Sequence, residues 1–341
     1  MADSYRAIYQ LLGAKEHDDF IFTASGAEAV SQAILSTYMQ VTVPTLKNHY
    51  ISSHIDEAPA LMSIARLEQL GCKGTLVSPN KQGQITAEII GEEISPRTAL
   101  VSLSWANGLT GVIHPIADIA KLCQQRSIAL HVDATHVLGK LFFDLDDIGA
   151  QFISFNGDHL HAPKGSGGLW VRSGAGCASL IAGGMEQGGL RGGNLNVAAL
   201  AALGHAATEA LECRDLVCTE VARLRDNLET GIAAAFPEAV PLYRNQERLP
   251  HCTAIAFPGI SNEALLYALN RKGVYGCIGG GSFQQISLLL TASGIDLELA
   301  QSAVSFSLSR ETTEDEIDRA IEIIAGAAKS LRRLSAHCQG I

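Results

Sequence analysis

The chain has 341 residues, 47% of them hydrophobic and 18% charged, and carries a formal net charge of −10. That length and apolar content suffice for a large core in one large domain or two, while the acidic balance lacks the clustered Lys and Arg of a nucleic-acid footprint. No apolar run approaches the ~18 residues needed to cross a bilayer, and the polar N-terminus has no basic stretch followed by an apolar one, so a cytoplasmic location is expected.

Taken in chain order, Tyr5, Ile8, Leu11 and Leu12 make a helical stripe ended by Gly13, and Phe20, Ile21 and Phe22 a short strand. Helical patterns follow over 27–39 and over 55–70, where Leu61, Ile64, Leu67 and Leu70 share a face. Buried-strand candidates lie at 74–77, 99–103, 128–132 and 152–155, with helices near 86–93 and 116–126 between them. This alternation predicts an α/β domain around a mostly parallel sheet. From about 195 the pattern changes: 196–234 is rich in Ala and Leu, strands are expected at 254–257 and 304–308, and a helix near 262–271. Thr313 and Glu316 form a capping box before a C-terminal amphipathic helix. The boundary is placed near 215, giving a large domain over 1–214 and a smaller α+β domain over 215–341. Eight cysteines without CxxC spacing read as reduced thiols, most of them small core residues.

Three stretches at strand ends carry chemistry, because α/β sheets build their sites there. Ser25-Gly26-Ala27 between a strand and a helix is either a tight turn with an N-cap or a phosphate-binding helix start. Asp133 closes a buried run, which is costly unless it caps a helix or meets a cation such as a protonated pyridine nitrogen. The third stretch runs from Ser154 through Asn156, Asp158, His159 and His161 to Pro163-Lys164-Gly165.

Together these resemble the cysteine desulfurases and their class V aminotransferase relatives, whose chains carry Ser-x-Ser-x-His-Lys followed shortly by Gly-Pro-Lys-Gly. Asn107-Gly108-Leu109-Thr110-Gly111 resembles that family's Asn-Asn-Glu-x-Gly loop, Gly189-Leu190-Arg191-Gly192-Gly193-Asn194 its Gly-x-Arg-x-Gly-Thr loop, and Phe306-Ser307-Leu308-Ser309-Arg310 its Phe-Ser-Leu-Gly-Arg strand. The resemblance implies the fold-type I architecture of pyridoxal phosphate enzymes, a homodimer with Asn194 on a loop lent to the partner subunit, and a partner in sulfur transfer or iron–sulfur assembly. It also implies a cofactor site at Ser25, Gly26, Ala27, Asn107, Asp133, His136, Asn156, His159 and Asn194. His136 stands where the family has a donor beside the cofactor's phenolic oxygen.

The departures are as specific. His159 stands at the family's cofactor-anchoring lysine, Asp158 at the histidine before it, and Glu57 at the histidine that stacks on the ring, with His54 three residues earlier. An imidazole cannot form the covalent bond that a lysine amine forms with the cofactor aldehyde, and Lys164 belongs to a separate element. Ala27 replaces a phosphate-binding Thr and Asn194 the partner-subunit Thr. Ser305 replaces the arginine that grips the substrate carboxylate, and Gly279 the loop cysteine that carries sulfur, with Cys277 two residues earlier as an ordinary or a functional thiol. The family's N-terminal segment, which borders the site, is expected to be missing.

Three readings follow. In the first, the chain is an impaired desulfurase-like protein, kept as a binding or scaffold partner, with pyridoxal phosphate held non-covalently if at all; His159 and Cys277 are then its catalytic candidates. In the second it is an active pyridoxal enzyme using an unexpected or partner-supplied lysine. The third is a metal site repurposed from His159, His161 and Asp133, in which an extended segment presents 159 and 161 on one face and 158 on the other.

Overall fold

A computed structural model describes residues 1–280 and 284–339; Gly281 and Ser282 of the glycine-rich loop lie outside the described residues. The chain divides into two compact units: Met1–Ser78, Ile85–Trp105 and His114–Arg214 form the first, and Pro79–Gln84, Ala106–Ile113 and Asp215–Ile341 the second.

The first unit is built on seven strands: β1 (Asp19–Thr23), β2 (His49–Ser53), β3 (Lys73–Val77), β4 (Thr98–Ser104), β5 (Ala129–Asp133), β6 (Phe152–Asn156) and β7 (Gly167–Val171), in the order β1-β7-β6-β5-β4-β2-β3. β7 runs antiparallel to both its neighbours, and the rest of the sheet is parallel. β4 is buried at every position, as expected of a central parallel strand covered on both faces. Helix Gly26–Thr37 crosses the sheet. Its Ala29 and Ala33 pack with Ile21, Phe152 and Leu169, while Val30 and Ile34, on the same helical spacing, pack with Tyr50 and Leu100.

β2 carries no apolar run. His49, Ser52 and Ser53 are all buried in it. The His49 ring lies between Thr98 Oγ1 and Thr75 Oγ1, 2.9 Å from each, which satisfies both nitrogens.

The second unit holds a three-stranded antiparallel sheet in which Cys252–Ala256 is flanked by Ala303–Ser307 and Val240–Pro241. The Ala106–Ile113 loop is tied into it by Ile113 N–H donating to Glu247 O and Leu249 N–H to Gly111 O. The helix Glu314–Gln339 starts with the reciprocal Thr313 and Glu316 hydrogen bonds of a capping box. Among the described residues no helix is long and apolar enough to cross a membrane, and the seven cysteines whose side chains are described are free thiols.

Candidate functional site

Parallel strands β4, β5 and β6 end side by side, with Ser104 opposite Asp133 and Asp133 opposite Ser154. Behind these ends the sheet is fixed by buried polar pairs. The His131 ring sits between Ser102 Oγ (2.8 Å) and Ser154 Oγ (3.0 Å), and burial pushes its pKa down to about 3, so it is a neutral structural group. Asp56 accepts from Ser52 Oγ, Ser53 Oγ, Ser53 N–H and Ser104 N–H, which joins the loop after β2 to the end of β4.

The turn after β1 begins at Ser25, whose hydroxyl accepts from Glu28 N–H and caps helix Gly26–Thr37. Gly26 N–H donates to Asn156 Oδ1 at 3.2 Å. A Cβ on Gly167 would meet the Ser25 carbonyl carbon at 2.6 Å, so only glycine lets β7 approach this turn so closely. Ala27 is exposed on the first turn of the helix. Glu28 is held by Ala24 N–H and by Arg191 Nε at 2.9 Å, which ties down the loop preceding Asn194; Asn194 itself is exposed.

Asp133 Oδ1 accepts from Thr135 N–H, and Thr135 Oγ1 accepts from Asn156 N–H, linking the ends of β5 and β6. Burial, and then the Glu57 carboxylate, raise the Asp133 pKa to about 6, against the smaller opposing effects of Thr135 and His136. His136 Nε2 donates to Glu57 Oε1 at 2.7 Å, and its ring meets the edge of the His159 ring with centroids 4.7 Å apart. Burial of its ring, with His136 and Lys140 adding to the effect, lowers the His159 pKa to about 4, although part of the residue faces solvent. Lys140 Nζ donates to the His159 carbonyl at 2.9 Å, and burial lowers its own pKa to about 8.

Ser25, Gly26, Asn156, Asp133, His136 and His159 are thus brought together at one end of the sheet. Asn107 and Cys277 lie in the second unit. The Asn107 Oδ1 accepts from Leu109 N–H, Thr110 N–H and Thr110 Oγ1 within its own loop. Cys277 is exposed, its sulfur accepts from Gly279 N–H, and its backbone bridges to buried Ser305.

The extended geometry expected for 158–161 is wrong. Gly157–Leu160 is a 3₁₀ turn and His161 takes a left-handed φ of 66°, so the side chains do not alternate. Among the described residues no three His, Cys, Asp or Glu side chains are arranged to hold a metal ion, which removes the reading built on His159, His161 and Asp133. Sequence reasoning also missed Lys140 and the Glu57–His136 bond. An acid at 57, where the family has a histidine, together with the imidazole at 136 was the signal for that bond.

A class-V aminotransferase model matches residues 1–320. The cysteine desulfurase NifS of Azotobacter vinelandii is 36% identical over 342 residues, covering 98% of this chain and 83% of that protein. A cysteine desulfurase of Gluconacetobacter diazotrophicus is 32% identical over 340 residues, 98% of this chain and 84% of the other. Among solved structures, a NifS-like protein superposes with a TM-score of 0.88 at 26% identity, covering 96% of this chain and 87% of its own. The fold is that of the fold-type I pyridoxal phosphate enzymes, and the chain belongs to the class-V aminotransferase family, with the cysteine desulfurases as its relatives within it.

Proposed function

We propose that this chain is a desulfurase-like protein that no longer desulfurates cysteine and acts as a binding or scaffold partner, with a pocket that takes pyridoxal phosphate without a covalent bond. The observation that carries this reading is His159, an imidazole packed on His136 where the family pattern has its anchoring lysine. The remaining residues fit two ends of the cofactor. Asp133, whose pKa is raised by burial and a neighbouring carboxylate, is suited to a protonated ring nitrogen. At the helix start after Ser25 the Gly26 and Glu28 N–H groups are bonded within the chain, which leaves the Ser25 hydroxyl proton and the Ala27 N–H to meet a phosphate. They do not fit its aldehyde. When bound, the cofactor supplies an electron sink. The chain's own part is to orient the ring through Asp133 and His136 and to hold His159 neutral beside it.

Desulfuration further needs a carboxylate grip and a sulfur-carrying thiol. Ser305 is a buried hydroxyl, and Cys277 stands two residues from the family register. We expect no alanine release from cysteine at the ~1 s⁻¹ or faster typical of enzymes. We also expect visible absorbance with added pyridoxal phosphate that is lost on desalting. Enzyme-like turnover would overturn the reading.

Lys140 gives specific support to a second reading, an active enzyme with a displaced lysine, because its amine lies beside the His159 backbone and titrates at about 8. Borohydride trapping of the cofactor on Lys140 would decide for that reading. By family resemblance the chain is a homodimer with a sulfur-transfer or iron–sulfur partner, and by its sequence a cytoplasmic one. A monomer by light scattering at micromolar concentration would count against the dimer.

A further inference from the structure

Resting on the reading that this pocket takes the cofactor's ring and phosphate, we propose that it selects the amine form, pyridoxamine 5′-phosphate, over the aldehyde. Three of the replaced positions shift charge in one direction. His159 in place of a lysine removes a cation, and Asp158 and Glu57 in place of histidines each add a carboxylate.

These side chains act as one group. Glu57 binds His136, the His136 ring packs on His159, and the Glu57 and Asp158 charges both act on the His159 ring. Asp158 Oδ1 is buried and has no hydrogen-bond partner. Lys140, whose charge also acts on the His159 ring, has its amine on the His159 carbonyl. The group is therefore rich in acceptors.

An aldehyde would bring one more acceptor, and without a lysine at 159 it meets no nucleophile there. An aminomethyl group brings a positive charge and three N–H donors. Burial, and then the Glu57 charge, raise the Asp133 carboxyl to about 6; burial, and then His136 and Lys140, lower the His159 pKa to about 4 against Asp158 and Glu57, which leaves its ring a neutral acceptor at pH 7.

The test is calorimetric titration of the dialysed protein with pyridoxamine 5′-phosphate, pyridoxal 5′-phosphate and 4-deoxypyridoxine 5′-phosphate, the last having neither amine nor aldehyde. We expect the amine to bind about tenfold more tightly than either of the others. Glu57→Gln combined with Asp158→Asn should bring the three ligands to within about twofold. Asp158→Asn alone, expected to remove part of the advantage, serves if the pair does not fold by circular dichroism. Equal binding of the three, tighter binding of the aldehyde, or an amine preference untouched by the variants would overturn the proposal. Failure of all three ligands to bind folded wild-type protein would instead sink the cofactor reading, and the preference with it.

Discussion

Replacing His159 by lysine tests whether the pocket lacks only its anchor. A lysine amine bonds to the aldehyde in its neutral form, so the yield follows the amine's pKa. Lys140 supplies the local scale, since burial in this part of the fold takes its pKa from 10.5 to about 8. A lysine at 159 would meet similar burial and the Lys140 charge, both lowering its pKa, against Glu57 and Asp158, which raise it. These four influences already act on the His159 ring. With a pKa of about 8, roughly a tenth of the amine is neutral at pH 7, and that fraction falls about tenfold for each pH unit below. His159→Lys should therefore give a yellow protein that keeps its colour through desalting. The rate of colour formation should rise about tenfold between pH 6 and pH 7 and level off above about pH 8. Adding Asp158→His removes a carboxylate and should move the curve to lower pH. Desulfuration should stay absent, because neither change supplies an arginine at 305 or a thiol at 279. Borohydride reduction and peptide mapping locate the bond. A rate flat across this range, a label on Lys140 or Lys164, or two folded but colourless variants would refute the reasoning.

Acid should destabilise the protein through its buried neutral histidines. His131 and His114, 1% and 2% exposed, have pKa values lowered by burial to about 3 and about 4. Between their unfolded value near 6.5 and those folded values the unfolded chain binds more protons, so stability falls as pH drops through this window. Asp133, raised to about 6, works the other way between about pH 4 and pH 6, as does Asp56, which burial also raises, while His159 and His49, lowered by burial, act with the two buried histidines. Urea midpoints that do not fall between about pH 7 and about pH 4.5 would contradict this. A double-mutant cycle on Glu57→Gln and His136→Gln should give a coupling of about 1 kcal/mol, reduced by solvent at side chains 37% and 15% exposed; a coupling below ~0.3 kcal/mol would make the contact incidental.

The sheet was legible where its strands are apolar runs, as in β4 to β6, because parallel strands covered on both faces are mostly apolar. β2 was not legible. His49, Ser52 and Ser53 look like loop residues until Thr75, Thr98 and Asp56, distant or downstream in the chain, are seen to satisfy them. The Ser25 turn and Asp133 were readable because a strand end followed by small residues or by an acid has few physical explanations. The Glu57–His136 bond spans 79 residues and has no local signature. Residues 158–161 were misread because periodicity cannot distinguish a short extended segment from a 3₁₀ turn. The Gly157 that begins this turn packs on Ser166, a contact no sequence pattern records.

A site drifting after release from selection should collect unpaired buried groups, each costing ~1–3 kcal/mol. Most of this site does not look like that. Glu57, a departure from the family pattern, is bonded to His136 at 2.7 Å, so its carboxylate is not left unpaired. The framework behind them is satisfied as well: Asp56 keeps four donors, and His131 keeps a hydroxyl on each nitrogen. Asp158 Oδ1, beside the replaced lysine, is the exception, buried without a partner. That one unpaired carboxylate oxygen marks a particular place for a donor. A loss confined to the anchoring lysine would have left the ring-stacking position unchanged. An acid at 57 bonded to His136, beside that unpaired oxygen, fits the proposed ligand, which donates where the aldehyde accepts.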